Sequence, residues 1–99
     1  MKYIVTVRGM LKGSPEQAKA LHDEIVARSS ALSKPMGNGS HRPLLNVQNG
    51  KEFLSIDEWD NLENLQKLYS DPNLAAEFGK LFDGMPDIAI WAESGWQAY

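Results

Sequence analysis

The run Lys51–Phe82, KEFLSIDEWDNLENLQKLYSDPNLAAEFGKLF, limits the possible folds more than any other part of the chain. Phe53, Leu54, Ile56 and Trp59 form a bulky, apolar-rich segment of strand length. The period then changes, and Leu62, Leu65, Leu68 and Tyr69 recur at helical spacing. Asp60 reads as the N-cap of that helix, with Glu63 three residues later to close a capping box. Asp71-Pro72 stops the helix and starts another, Asp71 as N-cap and Pro72 at the first helical position. Leu74, Phe78, Leu81 and Phe82 carry one apolar face onward.

Upstream, Tyr3 to Arg8 alternates as a strand, with Tyr3, Val5 and Val7 on one face and Ile4, Thr6 and Arg8 on the other. Ser14-Pro15-Glu16-Gln17 is a helix start with a capping Ser, a first-position Pro and a Gln three residues on. Ala18, Leu21, Ile25 and Leu32 make its apolar stripe, which ends before Lys34-Pro35. Met36 to Ser40 reads as a flexible, glycine-containing loop where a lid can sit. His41 to Gln48 reads as the second strand.

Asn49-Gly50 matches a two-residue type I′ hairpin. That loop sets Arg42 opposite Asp57, Leu44 opposite Ser55, Asn46 opposite Phe53 and Leu45 opposite Leu54, with His41 facing Glu58. One face then holds Leu45, Val47, Leu54 and Ile56 and is expected to seat the helices. The other holds Arg42, Leu44, Asn46, Phe53, Ser55, Asp57 and Trp59, a mixed polar and aromatic surface. The last strand is expected from Asp87 to about Tyr99, with a bend at Gly95.

Strand, helix, strand, strand, helix, strand is the ferredoxin-like βαββαβ order, an α+β class with an antiparallel sheet and helices on one face. Right-handed crossovers place the first strand beside the third and the second at an edge, where Pro43 is tolerated. The 99 residues suit a single domain spanning 1–99. With a formal charge of -3 and no basic patch, nucleic acid is not an expected partner. There is no cysteine, which removes disulfides and thiolate chemistry. The N-terminus passes straight into a strand pattern and no apolar run reaches membrane length, so a cytoplasmic, membrane-free protein is expected.

On these residues, the segment from Phe53 to Phe82 resembles the antibiotic biosynthesis monooxygenase superfamily, the dimeric α+β barrels. The resemblance implies a homodimer formed through the open sheet face and the C-terminal strand, the latter also carrying the exposed aromatics Trp96 and Tyr99. It implies a pocket for a small-molecule ligand and cofactor-independent monooxygenase chemistry on a small aromatic or quinol-type compound. Members of that type resemble a plan with Asn and Trp four apart on the third strand; here Trp59 matches the Trp and Ser55 stands in the Asn position. Phe78 and Tyr69 occupy the places of the axial His and the Trp of the haem-degrading branch, and Phe cannot ligate iron.

The candidate catalytic residues are Trp59, His41 and Ser55, and the candidate ligand-binding residues are Arg8, Arg42, Asn46, Asp57, Tyr69 and Trp91. His22 and His41 are the only histidines, so imidazole acid–base chemistry needs one of them; His22 flanks the stripe of the first helix. No histidine pair has ligand spacing and the glycines form no phosphate loop, so neither a metal nor a cofactor is expected. Two other functions fit the same residues: a non-catalytic small-molecule-binding dimer, and a His41-based isomerase or lyase.

Overall fold

The computed structural model describes residues 2–99. The elements are β1 (Tyr3–Met10), α1 (Pro15–Ser33), β2 (Asn38–Leu45), β3 (Glu52–Trp59), α2 (Leu62–Tyr69), α3 (Pro72–Leu81) and β4 (Asp87–Ala92). The sheet order is β2-β3-β1-β4, every neighbouring pair antiparallel. This is the ferredoxin-like α+β arrangement, with β1 beside β3 and the Pro43-bearing β2 on an edge. No described helix is long and apolar enough to cross a membrane.

Local chemistry sets the helix ends. Ser14 Oγ accepts from the Gln17 backbone N–H, and Gln17 Oε1 accepts from the Ser14 N–H, so the capping box of α1 is complete. Asp71 caps α3 by accepting from the Asn73 N–H, with Pro72 at the first position. The cap of α2 is Asn61, which accepts from the Asn64 N–H, not Asp60. The helix therefore starts one residue later than the Asp60–Glu63 pattern implies. Asp60 instead sits against Gly37, whose φ of +115° puts the backbone where a side chain would meet the Asp60 carboxylate.

The β2–β3 connection corrects the expected hairpin. No two-residue type I′ turn forms: Gly50 does not take a positive φ, and among the described residues no other residue type does either. Residues 46–51 make a longer loop. Asn46 Oδ1 accepts from the Gln48 and Asn49 N–H groups, an Asx-type closure that competes with the tight turn. The register moves by one residue, giving Leu44 opposite Leu54, Arg42 opposite Ile56 and His41 opposite Asp57. β2 runs from Asn38 to Leu45, so most of the expected loop is strand and residues 46–48 are not. Asn38 holds that end by donating to the Ser40 and Glu58 carbonyls across an irregularity in the ladder.

The two faces are also exchanged relative to the expected ones. Phe53, Ser55, Asp57 and Trp59 are buried under the helices, while Leu54 and Ile56 lie on the open face. The β1 register explains the pattern, because Val5 and Val7 point to the helices and their cross-strand partners are Asp57 and Ser55. Burying Phe53 and Trp59 removes more apolar area than burying Leu54 and Ile56, and the period of two carries Ser55 and Asp57 inward with them. One core cluster joins Val7, Leu11, Ala18, Phe53, Leu81 and Phe82; the other joins Val5, Trp59 and Leu65, and Tyr69 packs against both.

Two more expectations change. β4 ends at Ala92, and Trp96 and Tyr99 stand exposed beyond it, Gly95 supplying a left-handed bend. On α1, Ala18, Leu21 and Ile25 face inward as expected, but Leu32 is exposed and Ser33 is buried beside it.

Candidate active site

The space between α1, α2–α3 and the inner face of the sheet contains a cavity of about 90 Å³. Its walls include His22, His41, Ser55, Asp57, Trp59 and Tyr69. Phe53, Phe78 and Phe82 complete its aromatic side in a run of edge-on contacts. The polar groups converge from four elements: Ser55, Asp57 and Trp59 from alternate positions of β3, His41 from the neighbouring edge strand, His22 from α1 and Tyr69 from the end of α2.

A row of hydrogen bonds crosses this wall. His41 Nδ1 lies 2.7 Å from Asp57 Oδ1, His41 Nε2 lies 2.9 Å from His22 Nε2, and His22 Nδ1 lies 3.1 Å from Asp23 Oδ1. The two imidazoles are stacked at 24° with centroids 5.1 Å apart. Each of these contacts needs a hydrogen between its atoms, and two neutral imidazoles bring one each. The row is complete only with one proton beyond neutrality, shared by the two rings and faced by a carboxylate at either end. With that proton gone, both end contacts survive if each Nδ1 keeps its hydrogen, and two Nε2 lone pairs then face one another. The gap between the Nε2 atoms is therefore a prepared proton acceptor.

The surroundings bias the charges. Asp57 is 8% exposed, so His41 meets its carboxylate largely away from water. Burial pushes the Tyr69 phenol well above its ordinary 10.0, with the negative charge of Asp57 adding to the effect, so Tyr69 remains a neutral hydroxyl. Hydrogen bonds from Lys19 and then His22 hold the Asp23 carboxyl below its usual range. Trp59 is 1% exposed and its indole N–H has no partner, an uncommon state for a buried donor. That N–H is available to an acceptor entering the cavity.

The structure brings five of the candidate residues to this cavity: Trp59, His41, Ser55, Asp57 and Tyr69. It places the other four elsewhere. Arg8 lies on the open face and donates from Nε and Nη2 to Glu52. Arg42 pairs with Ile56 on that face, not with Asp57, a consequence of the shifted register. Asn46 is spent on the loop and on Glu52, whose carboxyl is held low by Asn46 and then Arg8. Trp91 is 55% exposed on the open face, its indole N–H donating to Thr6 Oγ1. His22 is the residue that the apolar pattern undervalues. It falls on the inward side of α1 beside Leu21 and Ile25, in the row Ala18, His22, Val26, Ser29, Ser33 that lines the cavity from its second member onward.

No protein-family model matches the sequence, and no curated protein does. Solved structures do match. SnoaB, a cofactor-independent oxygenase from Streptomyces nogalater, is similar with a TM-score of 0.72 at 14% identity, covering 96% of this chain and 95% of that one. A conserved protein from Methanosarcina mazei is similar with a TM-score of 0.72 at 14% identity over 95% and 94% of the two chains. A Nitrosomonas europaea protein provisionally named an antibiotic biosynthesis monooxygenase has a TM-score of 0.70 at 9% identity over 95% and 91%. At such identities the likeness speaks to the backbone arrangement, and on that ground the chain has the ferredoxin-like α+β fold of the antibiotic biosynthesis monooxygenase-like proteins.

Proposed function

We propose that the protein is a cofactor-independent oxygenase of small phenolic or quinol-type compounds, with the paired imidazoles of His41 and His22 as its base. The observation that carries this reading is the Asp57–His41–His22 row on the wall of an aromatic-sided cavity. SnoaB, which shares the fold, is named a cofactor-independent oxygenase, and this supports the reading.

The chemistry starts from the acceptor gap. A substrate hydroxyl gives its proton to the facing Nε2 atoms, and Asp57 and Asp23 balance the positive charge that results. The phenolate passes one electron to dioxygen, and the radical pair joins at a ring carbon as a peroxide, which takes the proton back. Loss of the C–H proton and of hydroxide, together one water, then leaves a carbonyl, so one phenol and one O₂ give one quinone and one H₂O. The Trp59 N–H and the Ser55 hydroxyl line the cavity, where they can donate to a small oxyanion such as superoxide. Tyr69, kept neutral by burial, is a third donor.

Oxygen uptake with a panel of phenols and hydroquinones, in chelator-treated buffer, tests the reading. One O₂ consumed per quinone formed, abolished in His41→Gln, is the expected result. No uptake with any compound, or uptake unchanged in His41→Gln, overturns it. Product formed without oxygen consumption identifies the same row as the base of an isomerase.

The assembly belongs to the same reading: a homodimer joined through the open sheet face. Support comes from the apolar side chains on that face, Ile4, Leu44, Leu54, Ile56 and Trp91, none of which a helix of the same chain covers.

A further inference from the structure

The cavity of about 90 Å³ is smaller than the roughly 150 Å³ that accommodates benzene in a protein core. A ring compound therefore needs another place for its body. A groove of about 400 Å³ lies on the other side of His22, between the first half of α1 and the β2 edge. Its size is within the range of about 300–1,000 Å³ typical of small-molecule sites. Its apolar walls are Leu11, Ala18, Pro43, Leu45 and Phe53, and its polar rim is one helical edge holding Glu16, Lys19, His22 and Asp23.

We propose that this groove is the binding site for the body of a neutral aromatic alcohol of one or two rings, its hydroxyl directed at His22. The inference rests on the paired-imidazole reading above and names where its substrate sits.

Three observations carry it. His22 and Phe53 line both spaces, so His22 is the partition between the groove and the cavity. Its Nε2 is one side of the proton-acceptor gap, so the ring that borders the groove is itself a member of the row. The rim charges select the ligand class. Lys19 is engaged by Asp23 at 2.7 Å, and Glu16 adds a second carboxylate, so no cation on the rim is left for an anionic ligand. A neutral hydroxyl can donate to the imidazole or to Asp23; a carboxylate meets repulsion. Leu45, largely exposed at the groove, presents the apolar surface that such a ring would cover.

The test is a titration of the full chain with naphthol, and in parallel with naphthoate, followed by amide and imidazole NMR shifts. Naphthol is expected to move the signals of Leu11, Ala18, Leu45 and the His22 ring, and to bind at least about tenfold more tightly than naphthoate. Leu45→Glu, a change at an exposed position that leaves the core intact, is expected to remove those shifts. Shifts confined to the open face at Thr6, Leu54 and Trp91, equal binding of naphthoate, no binding of naphthol, or shifts unaffected by Leu45→Glu would each overturn the groove. Binding is read here without turnover. Naphthol bound in the groove with no oxygen uptake for any phenol sinks the oxygenase and keeps the site; uptake without groove shifts sinks the site and keeps the oxygenase.

Discussion

His41 and Asp57 are cross-strand partners, and the 2.7 Å contact between His41 Nδ1 and Asp57 Oδ1 follows from that pairing. The carboxylate fixes which ring nitrogen carries hydrogen and leaves Nε2 to face His22. Asp57→Asn keeps an acceptor for Nδ1 and removes the negative charge that balances the shared proton. Turnover of a phenol is expected to fall by about two to four orders of magnitude, the usual weight of a positioned acid–base group. Measured kcat for the folded variant within threefold of the parent would remove Asp57 from the mechanism.

Tyr69 gives the chain a stability limit in alkali. Its folded phenol is raised above the unfolded value of 10.0 by burial, so the folded state holds the proton more tightly. The contribution is fully present below pH 10.0 and is lost progressively above it, as the unfolded chain gains by ionising. Denaturant midpoints between pH 9 and 11 should fall for the parent and fall less for Tyr69→Phe. Equal slopes for the two proteins would show that the phenol is not held as described.

Most of the fold is legible in the sequence because period and capping act locally. The box at Ser14–Gln17, the Asp71-Pro72 start and the element order all follow from neighbouring residues. The site is less legible, because it depends on a one-residue register. Asn49-Gly50 favours a tight turn, but the Asn46 side chain closes a longer loop, and that exchanges Arg42 for His41 as the partner of Asp57. His22 is hidden for a related reason. The expected stripe holds in part, with Leu21 and Ile25 inward, but the helix also turns inward the row Ala18, His22, Val26, Ser29 and Ser33. Spacing of four, four, three and four through those residues is the signal that finds it.

Leu65 is fully buried between Val5 and Trp59, under the sheet end that carries Asp57. Leu65→Ala removes three heavy atoms from a packed site and is expected to cost about 2–5 kcal/mol. Against a total of about 5–15 kcal/mol, that is a large share. Chemical denaturation measures it, and a loss below about 1 kcal/mol would show that the α2–sheet interface is loosely packed.

Leu54 and Trp91 sit on the open face that the proposed dimer covers, and Trp96 stands 85% exposed on the segment beyond β4. Leu54→Asp places a charge in the centre of that interface without touching the cavity. Sedimentation should show a dimer for the parent and monomer for this variant, with Trp96→Ala weakening association. A parent that sediments as a monomer, or a Leu54→Asp protein that remains a dimer, would refute the open-face interface.

The most direct measurement is the nitrogen–nitrogen coupling across the His22–His41 contact, read by NMR on protein with ¹⁵N-labelled histidine and no ligand. When the empty gap takes up its one extra proton, the two Nε2 atoms at 2.9 Å should share that hydrogen and show a through-bond coupling that vanishes in His22→Gln and in His41→Gln. Absence of that coupling at every pH at which the protein remains folded would contradict the paired-imidazole base.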